Sequence, residues 1–202
     1  MVELQLPAHS RSKLPGNGES AGRFCIGNSH AEAEDLRAAV LYLRERGKTV
    51  RAVLGHSKGG NAVILYAAKY DDVALVVNVA GRYDNSAGLA ETFGEDVMAK
   101  LAAAGQVEWR AGRFKMTITQ QDVQNRLSTD MAAAARAIKK SDVLTIHGSA
   151  DVMVPVEDAR LFAACIARHT LLIIDGADHS FTPPHADVLV AEAVRFLTNH
   201  VS

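Results

Sequence analysis

The sequence predicts an α/β fold built on a parallel sheet, and three observations carry the prediction. Short apolar runs at residues 50–54, 74–80, 143–146 and 171–174 are too brief for helices and rich in Val, Leu and Ile. The second, Ala74-Leu75-Val76-Val77-Asn78-Val79-Ala80, is almost unbroken, as a strand covered on both faces of a parallel sheet reads. Between the runs lie segments with apolar residues at helical spacing, and strands alternating with helices imply parallel pairing through right-handed crossovers. A chain of 202 residues is long enough for one domain with a sizeable core.

Residues 1–23 differ from the rest. They hold Pro7, Pro15, three glycines and several serines, and their one regular signal is Val2, Leu4 and Leu6 alternating with polar residues. That alternation predicts one short strand, ended by Pro7; the remainder reads as irregular. Ser29 followed by Glu32 has the spacing of a capping box. The helix it opens runs to about Arg46, with Ala33, Leu36, Val40 and Leu43 on one face, and Gly47 stops it. After the strand at 50–54, a glycine-rich turn leads into a helix reaching about Tyr70. Residues 82–140 break the alternation, with helical pieces at 95–104, 120–127 and 131–138 and a hairpin around 107–119. This insertion holds Phe93, Trp109, Phe114 and Met116, and is either a lid over a pocket or a packing insert. The alternation then resumes: a strand at 143–146, a helix with Pro155 as its first residue running to about Arg168, a strand at 171–174 and an amphipathic helix at 186–199.

Composition narrows the function classes. The chain is 48% hydrophobic and 22% charged with a formal net charge of −1, and its basic residues are scattered, so nothing argues for a nucleic-acid partner. No apolar run reaches transmembrane length and the N-terminus lacks a secretory profile, which predicts a cytoplasmic protein with no membrane partner. Cys25 and Cys165 lie far apart without metal-ligand spacing, so they read as buried thiols in a reducing compartment, and no metal is expected.

The chemistry concentrates at Gly55-His56-Ser57-Lys58-Gly59-Gly60, a G-x-S-x-G motif set between a strand and a helix. A serine at the apex of so tight a turn needs small neighbours two residues away on either side. Gly55 and Gly59 supply them, and Gly60 lets the helix approach the strand. The turn also directs the first N–H groups of the helix toward the serine, where they stabilise a developing oxyanion. Two further stretches follow strands, His147-Gly148-Ser149-Ala150-Asp151 and Asp175-Gly176-Ala177-Asp178-His179. Ligands gather at the carboxyl ends of parallel strands, so a serine, an aspartate and a histidine converge there from three loops. Ser57 is the expected nucleophile, His179 the general base and acid, and Asp151 the carboxylate that fixes the imidazole tautomer. Asp175 and Asp178 compete with Asp151 for its role, while His56 and His147 border strand ends and read as structural.

Five segments together resemble the α/β-hydrolase superfamily, nearest in pattern to plant esterase-like members related to the serine aminopeptidase and cinnamoyl esterase groups. They are GNGES (16–20), LGHSKGGNAV (54–63), VVNVAGRYD (76–84), HGSADVMVPVEDA (147–159) and GADHSF (176–181), and the resemblance spans roughly residue 16 to the C-terminus. It implies one α/β-hydrolase domain over residues 1–202 with a small helical cap at 82–140. It also carries over Ser57, Asp151 and His179 as the triad and the backbone N–H of Lys58 as one oxyanion donor. The implied enzyme is cofactor-free and hydrolyses a small-molecule carboxylic ester or a related acyl bond. Trp109, Phe114 and Met116 suit an aromatic or medium-chain acyl group.

Members of that superfamily normally carry three or four strands before the GNGES-like loop. A His-Gly run with an aromatic residue after one of those strands gives the second oxyanion donor. Only fifteen residues precede Gly16, so residues 1–15 read as replaced or truncated sequence. Loss of one donor costs on the order of 10²–10³ in rate. The strand before Ser57 also loses its neighbour, leaving an edge to be covered by residues 2–6 or by a second copy of the chain as a homodimer. Three readings follow: an ester hydrolase, a weak or inactive relative that binds a ligand or partner, and a peptidase or thioesterase using the same residues.

Overall fold

The computed structural model describes residues 2–4, 10–12, 22–111 and 114–199, with side chains for 22–110 and 115–199. Pro7, Pro15 and the GNGES segment lie outside the described residues, as does most of the expected irregular N-terminal stretch. The chain opens with β1 (Val2–Leu4), β2 (Ser10–Ser12), α1 (Ser29–Glu45), β3 (Ala52–His56), α2 (Lys58–Tyr70) and β4 (Leu75–Val79). A run of small elements follows: α3 (Leu89–Phe93), α4 (Val97–Ala104), β5 (Gln106–Ala111), β6 (Phe114–Thr119), α5 (Gln120–Leu127) and α6 (Met131–Ala137). The chain then continues through β7 (Asp142–Gly148), α7 (Val156–Cys165), β8 (His169–Ile174) and α8 (His185–Asn199).

The main sheet has the order β2-β1-β3-β4-β7-β8. Strands β3, β4, β7 and β8 are mutually parallel, in register from Ala52↔Leu75, Leu75↔Asp142 and Val143↔His169 onward. Alternation of side chains across these strands divides the core in two. Val53, Val76 and Val143 point to one face, where they meet Leu36 and Val40 of α1, Ile64 and Tyr66 of α2, Met131 of α6 and Phe162 of α7. Leu75, Val77, Leu144 and Ile146 point to the other, against Ala193 and Phe196 of α8. All five residues of β4 are buried, as its unbroken apolar run requires. This is an α/β fold with a parallel sheet. The edge of β3 is occupied by β1, paired antiparallel at Val2↔Gly55 and Glu3↔Leu54. The backbone thus covers part of the edge that residues 2–6 were expected to cover.

The hairpin of β5 and β6 forms its own two-stranded sheet. With α3, α4 and α5 it builds a separate cluster from Leu89, Val97, Leu101, Met116, Ile118 and Val123, against which Phe24, Ile26, Phe93 and Trp109 pack.

Several local expectations change. Ser29 does not cap α1: Asn28 occupies the N-cap without a side-chain bond, and Ser29 is already helical. Glu32 turns away from the helix start because a half-buried ammonium, that of Lys58, is within its reach and binds a carboxylate more strongly than a peptide N–H does. The capping box lies instead at α5, between Thr119 and Asp122. Pro155 is the N-cap of α7 rather than its first residue, and α7 ends at Cys165, short of Arg168. Strand β2 and helix α3 are additions to the expected elements. Cys25 and Cys165 are free but only half-buried, not buried as their separation suggested. No helix among the described residues is long and apolar enough to cross a membrane.

Candidate active site

Strand β3 ends at His56 and α2 begins at Lys58, so Ser57 alone makes the turn, at φ 56° and ψ −121°. A non-glycine residue in that region is strained, and the surroundings must impose it. They do so through close packing: a Cβ on Gly55 would lie 2.0 Å from the carbonyl oxygen of Gly59. One on Gly60 would lie 2.4 Å from Oδ1 of Asn78 in β4. The Ser57 N–H donates to Val79 O at 2.8 Å, tying the turn to the end of the neighbouring strand.

Two other strand ends bring their loops to the same place. Asp151 follows β7 and His179 follows β8. His179 Nε2 lies 2.9 Å from Ser57 Oγ, and Nδ1 lies 2.7 Å from Asp151 Oδ2. A carboxylate only accepts, so the proton is on Nδ1 and Nε2 is left to accept from the serine hydroxyl. Asp151 Oδ1 takes the N–H groups of Met153 and Val154 at 2.9 and 2.8 Å. Burial alone would raise this carboxyl group. Hydrogen bonds from His147, His179 and the Val154 N–H override burial and hold it well below the usual carboxylate range. The competing aspartates are engaged elsewhere, Asp175 with the Ser149 hydroxyl and Asp178 with Thr182.

The two bordering histidines buttress this line. His147 is fully buried; its Nε2 donates to Val154 O at 2.9 Å and lies 3.2 Å from Asp151 Oδ2. His56 donates from Nε2 to the carbonyl of His179 at 2.8 Å, and burial pushes its pKa down. Lys58, the first residue of α2, sends its amine to Glu32 and Asn28 and over the ring of Phe24. Burial lowers the Lys58 pKa and raises that of Glu32, each partly offset by the other's charge. Glu32 Oε2 is buried without a hydrogen-bond partner.

Ser57 and His179 open into a cavity of about 290 Å³. Trp109 and Met116 line it; Phe114 belongs to β6, but its side chain lies outside the described structure. Phe24, Ile26 and Phe93 extend the apolar wall, and Asn61, Arg82, Asn85 and Arg126 form a polar one. None of these was singled out beforehand for the site. For Arg82 a signal was present, since it follows the buried run 74–80 and so leaves the carboxyl end of a fourth parallel strand. Asn61 clamps the backbone of Arg82, donating to its carbonyl at 2.7 Å and accepting its N–H at 2.8 Å. Among the described residues, no group of three or more His, Cys, Asp or Glu is placed to hold a metal ion.

A family model described as the prolyl oligopeptidase family matches residues 26–202. No curated protein matches the chain by sequence. Among solved structures, an alpha/beta hydrolase from Penicillium sp. sh18 superposes with a TM-score of 0.75 at 19% identity, over 92% of this chain and 77% of that one. A monoacylglycerol lipase from Paleococcus ferrophilus gives 0.72 at 20% identity, over 93% and 81%. The esterase domain of a Rhodothermus marinus protein gives 0.59 at 21% identity, over 80% of this chain and 66% of that one, so this chain spans just under two thirds of that domain's length. The fold is that of the α/β hydrolases.

Proposed function

Because the chain belongs to the prolyl oligopeptidase family, we propose that it is a serine hydrolase that cleaves a small carboxylic ester through an acyl-enzyme on Ser57. The observation that carries this reading is the unbroken line Ser57 Oγ–His179–Asp151 at 2.9 and 2.7 Å, opening into a cavity with one apolar wall. In the first step Ser57 Oγ attacks the ester carbonyl and its proton passes to His179 Nε2. The oxyanion that forms is stabilised by the backbone N–H of Lys58, a first-turn donor that has no acceptor within its own helix. Collapse of the tetrahedral species expels the alcohol, which takes the proton from His179. Water then attacks the acyl group, again losing its proton to His179, and releases the carboxylic acid and free Ser57. Asp151 keeps Nδ1 protonated throughout and stabilises the imidazolium. The elements between β4 and β7 act as the cap, with Trp109 and Met116 against the acyl chain.

Esters are favoured over peptides because the cavity is small and the superposed structures include a lipase and an esterase domain. Peptide cleavage by the same residues is the second reading, supported by the description of the family that matches. The deciding experiment compares 4-nitrophenyl butyrate with a prolyl 4-nitroanilide peptide, using the wild-type chain and Ser57→Ala. Ester turnover that disappears in the variant is the expected result; anilide turnover exceeding it would move the assignment to a peptidase. Equal rates for both proteins on both substrates would refute hydrolysis at Ser57 and leave a binding protein.

A further inference from the structure

Among the described residues no aspartate or glutamate lines the cavity around Ser57, although three cationic side chains do: Lys58, Arg82 and Arg126. The charge of Lys58 is matched by Glu32. Those of Arg82 and Arg126 are not matched by an ion pair among the described residues. Arg126 donates from Nε to Asn85 O at 2.8 Å and from Nη2 to Ala87 O, and Arg82 donates from Nη2 to Met153 O. Carbonyl oxygens orient a guanidinium without neutralising it, and these bonds leave Nη1 of both arginines available. Arg82 is also fixed from below by Gly88, where a Cβ would lie 2.7 Å from Nη2.

The nearby carboxylates make their hydrogen bonds to other groups. Asp84 is bonded to the N–H and hydroxyl of Ser86 at 2.9 and 2.6 Å, and Asp158 takes the N–H of Tyr83 at 2.8 Å. Asp84 and the exposed Glu91 act on Arg126 by charge without an ion pair, Asp84 the more, and the charge of Arg82 reaches Asp84 and Asp158 in the same way. Two like charges on one wall are costly. Burial, and then the charge of Arg82, push Arg126 down to about 10. An anion held by both would offset that cost, and the planar guanidinium fork matches the geometry of an oxyanion such as a carboxylate.

We propose that Arg82 and Arg126 form a recognition site for a carboxylate carried by the substrate, so that the preferred ester is a half-ester of a dicarboxylic acid. The apolar wall of Phe24, Ile26, Phe93, Trp109 and Met116 holds the carbon chain, and the two arginines hold its free acid end. This inference rests on the hydrolase reading for the nature of the ester, but its test does not need turnover.

In the Ser57→Ala background, binding of monomethyl adipate and of dimethyl adipate is compared by titration calorimetry at pH 7. The two ligands differ in one charge. The half-ester is expected to bind about tenfold more tightly or better, the size of one charge-assisted interaction. That preference should fall to about threefold or less in Arg82→Gln and in Arg126→Gln, and be partly kept in Arg126→Lys, which retains the charge and guards against misfolding of the glutamine variant. Equal affinity for the two ligands, no binding of either to folded protein, or a preference unchanged in both glutamine variants would overturn the proposal. Because Ser57 is absent, none of these outcomes depends on whether the wild-type chain hydrolyses esters.

Discussion

Asp151 is the most heavily engaged carboxylate in the site, with His179 and His147 at Oδ2 and two peptide N–H groups at Oδ1. Its role under the proposed mechanism is to keep the proton of His179 on Nδ1. In Asp151→Asn the amide would offer a donor to that nitrogen and favour the wrong tautomer. The expected loss in kcat is on the order of 10³–10⁴, measured with a 4-nitrophenyl ester. Asp175→Asn and Asp178→Asn should stay within a few-fold of wild type, and the reverse ranking would move the acid role. The positions of Ser57, Asp151 and His179 at strand ends were legible because each follows a run that reads as a strand. Arg126 and Asn61 were not, since each reaches the cavity from a helix face whose direction only packing decides. Glu32 was misjudged for a related reason: its spacing from Ser29 is local, whereas its actual partner, Lys58, is twenty-six positions away.

At the scale of elements, the strand-to-helix turn stores strain that neighbouring backbone enforces. Gly47 and Gly55 separate the two reasons a glycine is needed. Gly47 has φ 71° with nothing within 4 Å of an added Cβ, so Gly47→Ala meets only conformational strain, about 1 kcal/mol. At Gly55 an added methyl would collide with the Gly59 carbonyl at 2.0 Å, so β3 and α2 must move apart. Gly55→Ala should therefore cost more, about 1–3 kcal/mol in urea unfolding, and should also displace Ser57 and suppress turnover. Equal stability losses with turnover intact in both would show that the turn is not held by this contact. Most of the parallel elements were legible because apolar runs and helical spacing are written locally. The start of α1, helix α3 and strand β2 were not. Short elements of this kind take their form from the side chains they pack against, as α3 does from the cluster around Leu101 and Ile118.

At the scale of the molecule, partly buried titratable groups on the sheet and the site set how the fold responds to acid. His169 opens β8 with Nε2 2.8 Å from the Thr145 hydroxyl, and burial pushes its pKa down to about 4. An unfolded histidine titrates near 6.5. Between these values the unfolded chain holds the proton that the folded chain rejects, so stability falls as pH drops from about 6.5 toward 4. His56, also lowered by burial, acts in the same direction. The carboxylates work in a lower window. Burial opposes ionisation of Asp72, but hydrogen bonds from Tyr66, Arg44 and Arg37 outweigh it and bring the pKa to about 2. Its stabilisation is complete above the unfolded carboxylate value near 3.9 and is lost as pH falls toward 2, and Asp151 follows the same sign. Acid unfolding should thus show two phases. His169→Gln keeps a polar partner for Thr145 but removes the titrating group. Urea midpoints measured from pH 7 to 3 should fall less steeply between 6.5 and 4 in this variant, with His56 carrying the remainder, and keep the fall below 4. A variant whose slope matched wild type across the upper window would show that His169 is not the group the fold keeps unprotonated.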